Sequence, residues 1–407
     1  MKKSVSLFSC AGIGDTGFEK AGVETISACE IIKERAELMQ RNFPNTKMFI
    51  GDIWDLQDEI VEHAIQTLNG ERLFSINVTN PCQSFSSNGK GRMSSQIKKG
   101  MRNENDKRSS LIIPAINIIS RLNPEFVVFE NVSGMKDAII KNEYNECEKI
   151  MSILSRRLRN YVLRSTILNV MNYGVPQNRK RLITIGIHVN FTTEERVENL
   201  FSKNASFLHP LPNNDFKVTL KECISHLPTL DAIEHIEDEN DPFHSVPKFN
   251  EMQYFCMKHT PEGKTAFDNT ICVQCNHENL NVNSVICEAC DALLPRPYKS
   301  ENNSYRLVKA FKTAYKRMTY DKPANALTTN SACVSSDVKV HPTQTRVLSL
   351  REIMIISSLC SFPTCSEQTF DYDFKDASPK LIRDVLGECI PPLLMFKIAS
   401  HLIKIRN

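Results

Sequence analysis

The first half of the chain alternates between short apolar runs and segments whose apolar residues recur with helical spacing. The apolar runs predict strands at Val5–Ser9, Thr25–Cys29, Lys47–Ile50, Phe74–Val78, Phe126–Phe129 and Arg181–His188. Between them, apolar residues with helical spacing predict helices at Thr16–Ala21, Lys33–Asn42, Asp55–Leu68 and Leu111–Leu122. Strands that alternate with helices are typical of parallel crossover units. The pattern therefore predicts an α/β fold with a doubly wound, mostly parallel sheet.

The regular alternation ends near residue 190. Residues 190–345 are irregular and rich in Asn and Pro, and helical spacing returns at Val347–Ser358 and Leu393–Lys404. We therefore expect two domains, which agrees with a length of 407 residues. The α/β domain is predicted to contain residues 1–190 and 378–407, and a second, irregular domain to contain residues 191–377.

The near-neutral charge of the chain conceals local clusters. Lys and Arg number 50 and Asp and Glu 47, which gives a net charge of +3. One basic cluster lies at residues 84–108, a second lies at residues 296–317 among aromatic side chains, and an acidic run covers residues 231–241. Two basic clusters, one of them with aromatics, favour a groove that binds a polyanion. Ordinary solvated surface is the alternative for either cluster alone.

Several classes of protein are excluded by the composition. The apolar segment after Met1-Lys2-Lys3 is too short for a signal peptide, and no apolar run reaches the length of a membrane span. The 14 cysteines are too few for a disulfide scaffold in a chain of 407 residues. We therefore expect a cytoplasmic protein with reduced thiols and no membrane contact. Each cysteine is then core filler, metal ligand or nucleophile.

Three loops that follow predicted strands have the residues of an adenosine site. In the turn from Phe8 to Gly14, Gly12 and Gly14 allow the backbone to approach a ligand. Glu30 is placed to accept hydrogen bonds from ribose hydroxyls, and Asp52 to accept one from an adenine amino group. No third glycine and no phosphate-binding lysine follow, which favours a ligand without phosphate, such as S-adenosylmethionine. An ordinary tight turn is the alternative for the glycine pair alone.

A cysteine follows the fourth predicted strand. Cys82 lies in Asn80-Pro81-Cys82-Gln83-Ser84-Phe85, beside a Ser, Gly and Lys-rich loop at residues 84–100. A nucleophile is expected at such a strand end. A small buried core residue is the alternative, since free cysteine usually has that role.

Four motifs occur together in one order along the chain. They are Phe-Ser-Cys-Ala-Gly-Ile-Gly at 8–14, Asn-Pro-Cys-Gln-Ser-Phe at 80–85, Phe-Glu-Asn-Val at 129–132 and Gln-Asn-Arg-Lys-Arg at 177–181. In this order they resemble the DNA cytosine-5 methyltransferases, including those of bacterial restriction–modification systems. The resemblance covers residues 4–188 and about 320–400. One departure is Glu388, where the family usually has Asn.

The resemblance implies the fold of S-adenosylmethionine-dependent methyltransferases and a role for each motif. Cys82 is the nucleophile that adds to carbon 6 of cytosine, and Glu130 is the acid that protonates ring nitrogen 3. Arg179 and Arg181 hold the base carbonyl and the phosphate, and Asn131 shapes the same pocket. Ile53 and Leu111 complete the contacts to the cofactor.

The resemblance also implies the partners. The target cytosine must leave the duplex DNA helix, and the loop at residues 84–104 then closes over it. We expect a monomer that acts on the same DNA site as a cognate restriction endonuclease. Two alternatives remain: a tRNA cytosine-5 methyltransferase with the same catalytic motifs, and a catalytically idle, zinc-containing DNA-binding regulator.

Four cysteines in the irregular region have the spacing of a zinc site. Cys272 and Cys275 form one Cys-x-x-Cys pair, and Cys287 and Cys290 form another after eleven residues. Four thiolates fill a tetrahedral site, which predicts structural zinc in a ribbon at residues 268–294 that braces the target-recognition domain. Coincidence or redox pairs are the alternatives, and His277 is a competing ligand.

Overall fold

The computed structural model describes residues 1–81, 110–144, 146–192, 208–213, 217–301, 304–311, 313–360 and 370–406. In chain order the strands are β1 (Lys2–Leu7), β2 (Val23–Glu30), β3 (Lys47–Ile50), β4 (Ser75–Val78), β5 (Phe126–Asn131), β6 (Ile139–Lys141), β7 (Cys147–Lys149), β8 (Tyr161–Asn169), β9 (Gln177–Asn178), β10 (Lys180–His188), β11 (Glu237–Asp238), β12 (Asp241–Ser245), β13 (Tyr298–Glu301), β14 (Ser304–Leu307) and β15 (Ala324–Asn325).

The helices, in the same order, are α1 (Asp15–Lys20), α2 (Lys33–Asn42), α3 (Ile53–Leu68), α4 (Ile112–Leu122), α5 (Ile150–Arg157), α6 (Leu220–Ile224), α7 (Glu251–Lys258), α8 (Leu350–Ile356), α9 (Pro379–Glu388) and α10 (Pro392–Arg406).

The central sheet has seven strands in the order β3-β2-β1-β4-β5-β10-β8. Strands β1 to β5 run parallel, and β10 is antiparallel to both of its neighbours. The predicted doubly wound, mostly parallel sheet is confirmed. Because the chain leaves β1 towards β2 on one side and returns through β4 on the other, the strand order reverses beside β1. Ligands of such sheets bind at this point, outside the carboxyl ends of the strands.

Both faces of the sheet are covered by helices, so its strands are apolar on both sides. Along β5, Phe126 and Val128 enter one core, and Val127 and Phe129 enter the other. Helices α3, α4 and α5 contribute to the second core, and α1, α8, α9 and α10 to the first. A Cβ on Gly17 would lie 2.2 Å from the carbonyl oxygen of Pro392, so α1 and α10 pack closely because residue 17 is glycine.

The region after β10 has small sheets and a core of its own. β11 pairs with β12, β13 pairs with β14, and β15 pairs with β9. A separate apolar core, which includes Phe249, Met257, Tyr315 and Val340, lies within this region. Helices α6 and α8, however, pack in the same core as the central sheet. The domain boundaries at residues 190 and 378 remain a prediction.

An ion pair with no solvent access anchors the start of α8. Arg346 donates to the Glu352 carboxylate at 2.7 and 2.8 Å, and Glu352 also accepts from the Ser349 backbone N–H at 2.7 Å. Burial opposes ionisation of Glu352, yet Arg346 holds the pKa of that carboxyl at about 2. A buried carboxylate is tolerated here because it is paired and hydrogen-bonded.

No single helix in the described ranges is long and apolar enough to cross a membrane. Helices α9 and α10 satisfy length and composition only when taken together, and they meet at an angle of 41°. Their apolar side chains belong to the core of the protein.

Candidate active site

A cavity of about 510 Å³ opens at the carboxyl ends of the parallel strands. It is lined by residues that follow or end four of these strands, among them Phe8, Glu30, Pro81 and Glu130. Asp52, Ile53 and Leu111 also line it, together with residues of α9 and of the segment that connects α9 to α10. The sheet thus brings most of the predicted cofactor and base residues of the described ranges to one cavity, as its topology requires. Gly12 and Asn131 do not line it.

The loop after β1 has an unusual backbone. Phe8 and Cys10 have φ angles of 60° and 53°, in the left-handed region that residues with a side chain seldom adopt. The Ser9 N–H donates to the Cys29 carbonyl at 3.0 Å, which ties the loop to β2. Gly14 lines the cavity, but Gly12 does not. A Cβ on Gly12 would lie 2.8 Å from Met39, so this glycine allows the loop to pack on α2.

Two acids occupy the strand ends predicted for an adenosine. Glu30 is buried, and its two carboxylate oxygens accept from the backbone N–H groups of Cys10 and Ile32, both at 2.9 Å. Asp52 accepts from the Trp54 N–H at 3.0 Å and caps α3. Backbone donors therefore fix both carboxylates in the cavity wall, and each oxygen keeps a lone pair for a ligand.

A carboxylate and a guanidinium face each other at the other end of the cavity. The Arg181 Nε lies 2.8 Å from the Glu130 Oε1. Ile183 is opposite Glu130 in the β5–β10 register, and Arg181 lies two residues earlier on the same face. The Asn131 amide donates to the Asn80 carbonyl at 2.9 Å and so holds the turn after β4. This arrangement can bind a flat polar ring that offers both a donor and an acceptor.

Comparison with known protein families covers nearly the whole chain. The family described as C-5 cytosine-specific DNA methylase matches residues 2–404. The chain belongs to this family. It is 30% identical over 416 residues to the type II methyltransferase M1.HgaI of Avibacterium volantium, and 99% of each chain is covered. It is 27% identical to the type II methyltransferase M.NgoPII of Neisseria gonorrhoeae, over 78% of this chain and 82% of that one.

Solved structures agree on the fold. A DNA modification methyltransferase encoded within an E. coli prophage superposes with a TM-score of 0.61, at 17% identity, over 100% of this chain and 99% of that chain. The protein is a DNA cytosine-5 methyltransferase that uses S-adenosylmethionine, as the motifs predicted. The two alternatives, a tRNA methyltransferase and an idle regulator, are not favoured.

The cavity of this methyltransferase fits S-adenosylmethionine. Two fixed carboxylates stand at the strand ends, and apolar side chains of Phe8, Ile53 and Leu111 lie beside them. The side-chain amide of Asn80 also lines the cavity, and within the described ranges neither of its polar atoms has a hydrogen-bond partner. A buried amide of this kind is costly unless a ligand satisfies it.

Several lining residues of the cavity were missed by the motif reasoning. They are Ile31, Ile32, Arg35, Asn80, Thr328, Thr329 and Ile390. Signals were present at Asn80, which lies in the second motif, and at Thr328 and Thr329, which lie in the stretch of residues about 320–400 that also resembles the family. Glu388 also lines the cavity, and its position departs from the family pattern. Ile31 is 65% exposed at the mouth of the cavity, directly after Glu30.

The two arginines of the fourth motif have different surroundings. Arg179 is 2% exposed, and its guanidinium donates to the carbonyls of Leu327, Gly387 and Glu388 at 2.7, 3.0 and 3.1 Å. It thereby joins β9 to the segment after β15 and to the end of α9. Arg181, in contrast, faces Glu130. The predicted contact of Arg179 with the base or phosphate stays a prediction.

Cys82 and the loop at residues 84–104 lie outside the described residues. So does the basic cluster at residues 84–108. The structure places the residues immediately before the cysteine: Asn80 is buried and Pro81 lines the cavity. The role of Cys82 therefore stays a prediction.

The four cysteines of the predicted zinc ribbon come together. All four sulfurs lie within 4.8 Å of one another, and Cys272–Cys290 and Cys275–Cys287 are each separated by 3.6 Å. A tetrahedral zinc site with Zn–S bonds of about 2.3 Å requires sulfurs about 3.8 Å apart. A disulfide, at about 2.05 Å, is far shorter. The sulfur positions thus match a metal site.

The two Cys-x-x-Cys turns have the same backbone. In the first, the Cys272 N–H donates to the His277 carbonyl, and the Cys272 carbonyl accepts from Asn276. In the second, Cys287 makes the equivalent bonds with Ala292 and Asp291. Asn276 and Asp291, which follow the second cysteine of each turn, have φ angles of 57° and 59°. Two equal turns therefore present their thiols to one point.

The second basic cluster is only partly a surface. Arg296 and Arg317 are buried, and their guanidinium groups donate to backbone carbonyls. Tyr315 is buried as well. Lys299 and Phe311 are exposed. The prediction that the whole cluster forms a polyanion-binding groove is therefore wrong for the buried residues. The sequence pattern does not show which arginines are buried and hydrogen-bonded to backbone carbonyls.

Proposed function

We propose that this enzyme methylates cytosine through a covalent bond between Cys82 and ring carbon 6. Bound S-adenosylmethionine supplies an electrophilic methyl group. The Cys82 thiolate adds to carbon 6 while nitrogen 3 gains a proton, and carbon 5 then forms its bond to the methyl group. This bond forms as the bond between the methyl group and the cofactor sulfur breaks, which leaves S-adenosylhomocysteine. Nitrogen 3 then returns its proton to Glu130, carbon 5 loses its proton to a solvent base, and the electron pair left on carbon 5 expels the Cys82 thiolate. The observation that carries this proposal is the facing pair of Glu130 and Arg181 in a cavity whose wall includes Pro81, next to Cys82.

Glu130 and Arg181 divide the recognition of the base. Glu130 is the proton donor to nitrogen 3, and Arg181 donates to the ring carbonyl. Asn131 is a positioning residue, since its amide holds the Asn80 carbonyl two residues before the nucleophile. These contacts require a cytosine that has left the duplex.

Trapping with 5-fluorocytosine tests the covalent step. Fluorine at carbon 5 cannot leave as a proton does, so the bond to Cys82 persists. We expect a pool of duplexes with 5-fluorocytosine in varied contexts to yield a complex that survives denaturing electrophoresis with wild type and with Cys333→Ser, an exposed cysteine elsewhere. Cys82→Ser is expected to form none. An adduct in Cys82→Ser, or none in an active wild type, contradicts the mechanism.

We also infer that Cys272, Cys275, Cys287 and Cys290 bind one structural zinc ion. Their sulfur spacing and the two equal turns support this assignment. All four ligand positions are taken by thiolates, so the ion stabilises the ribbon and takes no part in chemistry. The ribbon is tied to α7, because the Asn269 amide donates to the carbonyls of Cys256 and Pro295.

Metal analysis tests the zinc site. We expect about one zinc per chain in the wild type and in Cys333→Ser, and none in Cys275→Ser or Cys290→Ser. A chelator that removes the metal is expected to lower the thermal midpoint of the wild type. Equal metal content in all four proteins, or no metal after growth with added zinc, contradicts the assignment.

We further propose that the irregular domain, residues 191–377, recognises duplex DNA. Lys299 and Arg306 are opposite each other on the two-stranded β13–β14 ribbon, and such a ribbon fits a major groove.

We also propose that the enzyme acts in the bacterial cytoplasm as a monomer, on the same DNA site as a restriction endonuclease. Sedimentation of the free and DNA-bound enzyme tests the monomer. Protection of methylated DNA from nucleases of the same cells tests the pairing.

A further inference from the structure

We propose that Arg35 and Glu388 together hold the amino-acid end of S-adenosylmethionine, Arg35 through its carboxylate and Glu388 through its ammonium group. The inference rests on the use of S-adenosylmethionine by this enzyme and adds the residues that recognise the charged end of that molecule. Both residues were outside the predicted cofactor site.

The two side chains form an ion pair in the wall of the cavity. Arg35 Nη1 lies 2.6 Å from Glu388 Oε2, and both residues line the cavity. The side chain of Arg35 is 15% exposed and that of Glu388 is 33% exposed, so the pair is partly shielded but open to a ligand. Arg35 comes from α2 and Glu388 from the last residue of α9, 353 positions apart.

The position of Glu388 is fixed by its neighbours. A Cβ on Gly387 would lie 2.4 Å from the backbone of Thr328 and Thr329, so the end of α9 touches that segment. The Glu388 carbonyl accepts from Arg179 at 3.1 Å. The carboxylate of Glu388 is therefore presented to the cavity by a rigid support.

Among the cationic side chains in the described cavity wall, one is a candidate to bind the carboxylate of the ligand. In the described part of the wall these are Arg35, Arg179 and Arg181. Arg179 donates to three backbone carbonyls, and Arg181 faces Glu130 at the site proposed for the base. S-adenosylmethionine carries a carboxylate that needs a cationic or multiple-donor partner. Arg35 is the remaining cation.

The Arg35–Glu388 pair lies where the amino-acid end of S-adenosylmethionine is expected, given the residues predicted to bind its ribose. Burial raises the pKa of Glu30, and Arg35 and Glu388 both act on that carboxyl, with opposite signs. The pair therefore lies beside the acid predicted to bind ribose, where the methionine chain of the ligand begins. A carboxylate has two oxygens, so Glu388 can pair with Arg35 and with an ammonium group. Four alternating charges then form one closed network.

Calorimetric titration of the full-length protein with two probes tests this assignment. S-adenosylhomocysteine has the amino-acid end, and 5′-methylthioadenosine lacks it. We expect Arg35→Met and Glu388→Gln each to weaken S-adenosylhomocysteine binding by about tenfold or more, and to change methylthioadenosine binding by less than about twofold. Lys33→Met removes a positive charge from the same helix at an exposed position and is expected to change neither.

The outcomes separate this inference from the function itself. Equal weakening of both probes indicates a purely structural ion pair and overturns the proposal, as does unchanged binding of S-adenosylhomocysteine in both variants. Glu388→Gln keeps the size of the side chain, so it remains informative if Arg35→Met fails to fold. A wild type that binds neither probe contradicts the use of S-adenosylmethionine and not merely the role of Arg35.

Discussion

At the scale of single residues, the two arginines of one motif have separate duties. Arg179 cross-links three backbone carbonyls, and Arg181 faces Glu130 in the cavity. The motif predicted both as contacts to the substrate, and a one-dimensional pattern could not show that Arg179 also holds three backbone carbonyls. Arg179 lines the cavity, and its contact with the substrate stays a prediction. Glu130 and Asn131, in contrast, could be placed from sequence, since the end of a buried strand fixes their position.

Lysine substitutions distinguish the two arginines. A lysine at 179 cannot reproduce the planar set of donors, so Arg179→Lys is expected to destabilise the protein by about 2 kcal/mol or more. Arg181→Lys is expected to leave stability within about 0.5 kcal/mol and to lower the rate of DNA methylation at least tenfold. Denaturant unfolding and methyl transfer measure the two effects. The same stability loss in both variants contradicts the division.

Asp15 predicts how stability depends on pH. Burial raises the pKa of this carboxyl to about 7, although Ser6 donates to it at 2.9 Å. The folded state therefore binds this proton more tightly than the unfolded state does. The free energy of unfolding falls as pH rises from the ordinary pKa of 3.8 to about 7, and above that pH Asp15 lowers it by a constant amount. Asp15→Asn is expected to stabilise the ligand-free protein by a few kcal/mol at pH 8, and by less at pH 5.

Thermal unfolding at both pH values measures this effect. Asp55→Asn, at an exposed position on α3, is the matched control and is expected to shift the midpoint equally at the two pH values. A gain from Asp15→Asn that is the same at pH 5 and pH 8 contradicts a raised pKa in the fold.

At the scale of elements, the sequence pattern succeeded where local periodicity decides the structure. The helix Lys33–Asn42 and the strand Lys47–Ile50 have the predicted bounds. Strand β8 was not predicted. It is half-exposed and carries polar residues along its length, so it shows no strong apolar alternation, and its place is decided by pairing with β10. Helix α9 begins at Pro379, close to the helix expected from about residue 378, and it buries Ile382, Val385 and Leu386 on one face.

Close packing at the end of α9 gives a prediction for this element. Gly387→Ala places a Cβ 2.4 Å from the backbone of Thr328 and Thr329, and backbone cannot yield as a flexible side chain does. We expect a loss of about 1–3 kcal/mol in the free energy of unfolding, with weaker cofactor binding. Lys380→Ala, on the exposed face of the same helix, is expected to cost less than about 0.5 kcal/mol. A neutral Gly387→Ala in denaturant unfolding contradicts the packing account.

At the scale of the whole molecule, the sheet edge gathers residues that are far apart in the chain. The turn after β1, the acids after β2 and β3, and the end of β5 could be assembled from sequence because parallel strands share one edge. Arg35 and Glu388 could not, since their contact spans 353 residues and depends on how α9 closes the cavity. The zinc ribbon shows the opposite case, because ligand spacing of a few residues nearly determines its geometry.

The most direct test of the central claim is conversion sequencing of DNA from cells that express the protein, which reports the chemistry and its target together. We expect protected cytosines, methylated at carbon 5, within one recurring sequence in wild-type cells, and unprotected cytosines in cells with Cys82→Ala. Methylation that persists in Cys82→Ala, that falls on another atom, or that appears in tRNA and not in DNA contradicts the account.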